Sequence, residues 1–125
     1  MLDSADKKLF KHAYSKHAKK FSSKTKVNLF QESMKSELRL DLVIEGKVQG
    51  VGYRYSAKVR AESLCIKGSV KNMRDGTVFV TAQGKKEAMD KFVRWCFKGP
   101  TGAFVKKIVK VQGKTEDFSE FSILF

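Results

Sequence analysis

A chain of 125 residues is long enough for one hydrophobic core and too short for two, so a single domain is expected. Its 26 Lys and Arg against 13 Asp and Glu give a formal charge of +13, which favours anionic partners. Residues 1–38 hold nine lysines and four acids, net +5, and no stretch is a pure basic block. Two cysteines without Cys-x-x-Cys or Cys/His spacing exclude a disulfide framework and a structural zinc site. No apolar run approaches the roughly 18 residues of a membrane span, and no secretory leader is legible, so a cytoplasmic location is expected.

Residues 1–37 form a basic extension. Phe10, Ala13, Tyr14, His17, Ala18 and Phe21 fall on one helical face, with Asp3 or Ser4 as caps, and SSKTK breaks the pattern. A weaker helical stretch, Leu29–Glu37, leads onward. The extension is read as a mobile or loosely docked segment, with membrane, nucleic-acid and protein contact as alternatives.

The domain is expected over residues 38–125. Leu38, Leu40, Leu42, Ile44, Gly46 and Val48 alternate with Arg39, Asp41, Val43, Glu45 and Lys47, the period of a strand with one buried face. A glycine-rich loop follows, then a helix of about three turns through Tyr53, Ala57, Ala61 and Leu64. Ile66, Val70 and Asn72 mark a second strand, Met73-Arg74-Asp75-Gly76 a turn, and Val78, Val80 and Ala82 a third strand closed by Gly84. Ala88, Met89, Phe92, Val93 and Cys96 trace a second helix stopped by Gly99-Pro100. Val105, Val109 and Val111 belong to a fourth strand, and Phe121, Ile123 and Phe125 to a short terminal edge strand. The order β-α-β-β-α-β predicts an α+β ferredoxin-like sandwich, an antiparallel sheet with two helices on one face.

That architecture hosts many functions, so the site must decide. An RNA-recognition domain needs aromatics on the open face of its first and third strands, where only Phe79 is offered. A metal chaperone would place Cys-x-x-Cys in the first loop, which has no cysteine. His12 and His17 lie five apart in the extension, and residues 18–125 hold no histidine, so imidazole base catalysis is excluded from the domain. Asp75 suits the hairpin turn and Glu45 the solvent face of its strand.

The loop GKVQGVGYR remains. Glycines allow positive φ and close backbone approach, and amides at a helix N-terminus attract anions. In this strand order the loop lies beside the end of the second strand, which pairs Arg54 with Asn72. An anion on the loop amides and the Arg54 guanidinium would meet the Asn72 amide, which can orient a water but cannot deprotonate it.

GKVQGVGYR, followed by GSVKNMRDGTVFVTAQG with Gly68, Asn72, Gly76, Val78 and Gly84 in register, resembles the two signatures of the acylphosphatase family. GPTGAFVKKI and FSEFSILF are similar to the family's later loop and terminal strand, so the resemblance covers about residues 38–125. Ser69 departs from it, standing where the family usually has an aromatic ring. Its hydroxymethyl is expected on the open face, thinning the packing beside the site. The basic extension lies outside the pattern.

The resemblance implies a hydrolase acting on acid anhydrides, splitting acyl phosphates into a carboxylate and inorganic phosphate, with no cofactor. It implies phosphate binding by Gln49, Gly50, Val51, Gly52, Tyr53 and Arg54, with Arg54 and Asn72 as the catalytic pair. The expected partners are a small-molecule acyl phosphate and inorganic phosphate, as product and competitive inhibitor, acting on a monomer. The alternative is a non-catalytic phosphate-ligand or nucleic-acid-binding module of the same fold.

Overall fold

A computed structural model describes residues 37–125. The elements run β1 (Glu37–Lys47), α1 (Tyr53–Ser63), β2 (Lys67–Asn72), β3 (Val78–Lys85), α2 (Lys86–Lys98), β4 (Phe104–Gly113) and β5 (Phe121–Leu124). They form the expected ferredoxin-like sandwich. The sheet order is β4-β1-β3-β2-β5, antiparallel except that β5 runs parallel to β2, so the sheet is mixed. The helix read over residues 10–21, with His12 and His17, lies outside the described residues, as does most of Leu29–Glu37. Glu37 itself opens β1.

Both helices pack on one face because their apolar residues recur at helical spacing: Tyr53, Ala57 and Ala61 in α1, and Met89, Phe92 and Cys96 in α2. They meet Leu42, Ile44, Val70, Val78, Val80, Ala82 and Phe121 in the main core. Phe92 lies edge-on to Phe121, ring centroids 6.1 Å apart. α2 stops at Gly99, whose φ of 66° suits glycine and whose N–H donates to the Trp95 carbonyl at 2.7 Å. In the β2–β3 turn the Asp75 carboxylate accepts from the Thr77 amide at 3.0 Å and hydroxyl at 2.6 Å, the turn role read from the sequence.

The opposite face is not open. Because β4 and β5 occupy opposite edges, the chain between them must cross β1, β3 and β2, and residues 114–120 do so over this face. Gln83 donates to the Glu116 carbonyl at 2.7 Å and accepts from its amide at 2.8 Å, while Arg39 donates to the Lys114 carbonyl at 3.2 Å. Arg39 also grips Asp41 through two bonds of 3.2 and 3.1 Å, and the two side chains are 2% and 1% exposed. Burial pushes the Asp41 carboxyl up, against the pull of the Arg39 guanidinium.

Phe79, expected on the open face, is therefore buried, in a second cluster with Val43, Met73 and Val109. The fourth strand holds Val105, Val109 and Val111 as expected, but they do not share a face. A bulge shifts the register between Glu45 and Gly46, which face Lys107 and Val105. Val105 thus joins Ile108 on the helix side, whereas Val109 and Val111 pack on the far face.

Close strand approach demands glycine at Gly68, whose φ is 140° and whose added Cβ would strike the Thr81 carbonyl. We expect Gly68→Ala to cost about 1–3 kcal/mol or more, read as a lowered urea midpoint at unchanged slope.

Candidate active site

The five residues between β1 and α1 must reverse the chain and present the helix start. Gly50 and Gly52 do this at φ 76° and 75°. An added Cβ at either would meet nothing within 4 Å, so it is the left-handed backbone, not crowding, that calls for glycine there. Gly52 is the N-cap of α1; no side chain caps this end and no acid stands in the first turn. The helix therefore presents amides and the positive end of its dipole without an internal anion.

Gln49 fixes the loop to its surroundings. Its Nε2 donates to the Met73 carbonyl at 2.7 Å and the Thr77 carbonyl at 2.9 Å, on either side of the β2–β3 turn. The Gln49 side chain is thereby committed to protein acceptors, leaving its backbone as what it can offer a ligand. The same two bonds hold the loop against the end of β2, where Asn72 stands.

A cleft of about 270 Å³ opens at this junction, lined by Gly50, Gly52, Tyr53, Arg54 and Asn72, with Val48, Tyr55, Ile123 and Phe125 completing its wall. Arg54 and Asn72, paired from the sequence, thus share one cavity; Gln49 and Val51 lie outside its lining. Asn72 pairs with Val78 at the C-terminal end of β2. Its Oδ1 is buried and accepts no hydrogen bond from the protein, an arrangement that costs free energy unless a ligand donor serves it. The Arg54 guanidinium lies over the Phe125 ring, 5.1 Å from its centroid, and Nη1 reaches the Leu124 carbonyl at 3.5 Å.

Tyr53 is a structural member of the lining. Its hydroxyl donates to the Cys96 carbonyl at 2.7 Å, joining the start of α1 to α2, and burial drives its phenol well above the usual range. Burial likewise pushes the Cys96 thiol up to about 12, so it carries no thiolate at neutral pH. Among the described residues, the cleft lining holds no side-chain carboxylate, imidazole or thiol, and no three His, Cys, Asp or Glu side chains converge to hold a metal.

Sequence reasoning missed Tyr55, Ile123 and Phe125. Phe125, assigned from the sequence to the terminal strand, instead lies just beyond it and is 93% exposed. Its closeness to Arg54 depends on β5 lying parallel to β2, which no local pattern announces. Ser69 faces Thr81 and Ser122 on the far side of the sheet, outside the cleft lining. The missing ring therefore does not thin the cleft wall.

The acylphosphatase family model matches residues 40–123. An acylphosphatase of Acaryochloris marina is 44% identical over 85 residues, covering 68% of this chain and 91% of that protein. The structure of an acylphosphatase from Coxiella burnetii superposes with a TM-score of 0.70 at 33% identity, covering 72% of this chain and 95% of that one. That of Bacillus subtilis gives 0.69 at 32% identity, covering 70% and 99%.

Removing the Gln49 amide takes the second donor from the Met73 and Thr77 carbonyls, which keep the Gly76 and Met73 amides at 3.2 and 2.9 Å, and frees the loop from the turn. Gln49→Ala should destabilise by about 1 kcal/mol, lowering Tm by roughly 4–8 °C. It should also weaken inorganic phosphate binding several-fold, as titration calorimetry would measure.

Proposed function

The chain belongs to the acylphosphatase family, and on that premise we propose that it hydrolyses acyl phosphates to a carboxylate and inorganic phosphate, without a metal, at the cleft between the 49–54 loop and Asn72. The observation that carries this reading is the meeting of Arg54 and Asn72 in one cleft at an uncapped, acid-free helix N-terminus.

A mixed carboxylic-phosphoric anhydride already has a good leaving group, so the protein need not supply a strong acid. It must hold the phosphoryl group, stabilise charge on its equatorial oxygens and place a water in line. In the reading proposed, the amides of residues 49–54 and the Arg54 guanidinium take the phosphoryl oxygens. The ion matches the dipole, and the arginine fork gives it orientation.

Asn72 positions the water. Its buried Oδ1, unserved by protein donors, can accept one water hydrogen and turn the oxygen lone pair toward phosphorus. A P–O bond then forms to the water while the P–O bond to the acyl group breaks, and the electron pair leaves with the carboxylate. The second water proton passes to a phosphoryl oxygen of the substrate, since the lining offers no base of ordinary pKa between about 5 and 8. Residues 1–37 are proposed to stand outside this reaction as a separate basic extension.

Arg54→Ala should abolish both turnover and competitive inhibition by inorganic phosphate. Asn72→Ala should keep phosphate inhibition within about threefold of the unaltered chain while reducing kcat by at least about a hundredfold. Loss of phosphate binding in both variants would count against separate roles. Turnover of benzoyl phosphate should persist in excess chelator, and its absence under those conditions would overturn the metal-free hydrolase reading. With no titrating base in the cleft, kcat should stay level from about pH 5.5 to 8; a bell-shaped profile there would reveal a general acid or base.

A further inference from the structure

In an acyl phosphate a single bridging oxygen separates phosphorus from the acyl carbon, so the acyl group must rest on whatever borders the phosphate cleft. Tyr55, next in chain to Arg54, is part of the cleft wall and is 68% exposed. It also lines a second, more open groove of about 440 Å³ between α1 and α2, whose other lining residues are Ser56, Val59, Arg60, Ser63, Trp95 and Pro100. Tyr55 and Val59 are one helical turn apart and share a face of α1.

The groove is coupled to the cleft by a second route. Tyr53 lines the cleft and packs against Trp95, ring centroids 5.4 Å apart, while Trp95 stacks near Phe92 at 6.3 Å. The indole is therefore a fixed wall. Val59, 49% exposed, adds an aliphatic surface that water covers at a cost. An apolar surface that shares Tyr55 with the proposed phosphate cleft suits a substrate that is anionic at one end and apolar at the other.

Resting on the hydrolase reading above, we propose that the α1–α2 groove is the acyl-binding subsite, that it takes aromatic or extended apolar acyl groups, and that Tyr55 and Val59 set this preference. The phosphoryl group stays on the loop amides and Arg54, and the acyl group passes Tyr55 to lie against Val59 and the Trp95 edge. Burying a phenyl ring on these side chains favours it over a methyl group by an amount that shows in kcat/KM.

The test compares benzoyl phosphate and acetyl phosphate on the full chain and on Tyr55→Ser and Val59→Gln. Both are exposed positions, so folding is not at risk, and unchanged far-UV circular dichroism would register this. The benzoyl-to-acetyl ratio of kcat/KM should fall about tenfold in Tyr55→Ser and about threefold in Val59→Gln. A ratio that stays within experimental error in both variants overturns the subsite while leaving the hydrolase reading intact. If the unaltered chain hydrolyses neither compound, both readings fall together.

Discussion

The strand order imposes the constraint on which the rest of the molecule depends. β4 and β5 close opposite edges of the sheet, so residues 114–120 must traverse the face that the helices leave uncovered. That crossing delivers Phe121–Leu124 to the flank of β2, and with it the Leu124 carbonyl and Phe125 ring to Arg54. The polar side chains under the crossing are consistent with this duty. A backbone segment laid across a sheet brings its own amides and carbonyls, which need partners once water is excluded. Gln83 answers Glu116 with a donor and an acceptor at once, and Arg39 answers Lys114 while neutralising the buried Asp41.

On the helix side, glycine, glutamine and arginine divide the labour at one loop. Left-handed Gly50 and Gly52 turn the backbone, Gln49 staples it to the β2–β3 turn, and Arg54 emerges from the first turn of α1 into the cleft. Each role uses a different property: absence of Cβ, two amide donors on one nitrogen, and a planar cation. The staple explains why two motifs more than twenty residues apart in sequence behave as one unit. It spans the gap that chain connectivity leaves.

The sequence made much of this legible, and the parts it hid share a physical cause. Alternation and helical spacing locate the elements because each has one dominant buried face. The pairing of Arg54 with Asn72 follows from motif order and the neighbourhood of the first two strands. Arg39 and Asp41 alternate with the buried face in sequence yet are buried themselves, because a loop far along the chain covers them and accepts from Arg39, and such cover leaves no local signature. The reversal between Val105 and Val109 was hidden by a bulge, which inserts one residue without altering composition. Phe125 and Ile123 were invisible as wall residues because only the parallel pairing of β5 brings them near α1.

That pairing also gives the cleft a hierarchy of stability. β5 is four residues long, lies at an edge, and is joined to the rest by the longest crossing in the described chain. Short edge segments open in partial excursions whose free energy lies below that of global unfolding. Fraying of its last residues withdraws the carbonyl and ring that rest against Arg54 without disturbing the Gln49 staple, while Phe121 at the other end of the strand stays anchored in the main core. The cleft is thus bordered by two parts of unequal stability, a durable one joining loop to turn and a looser one at the tip of β5 beside the Arg54 guanidinium.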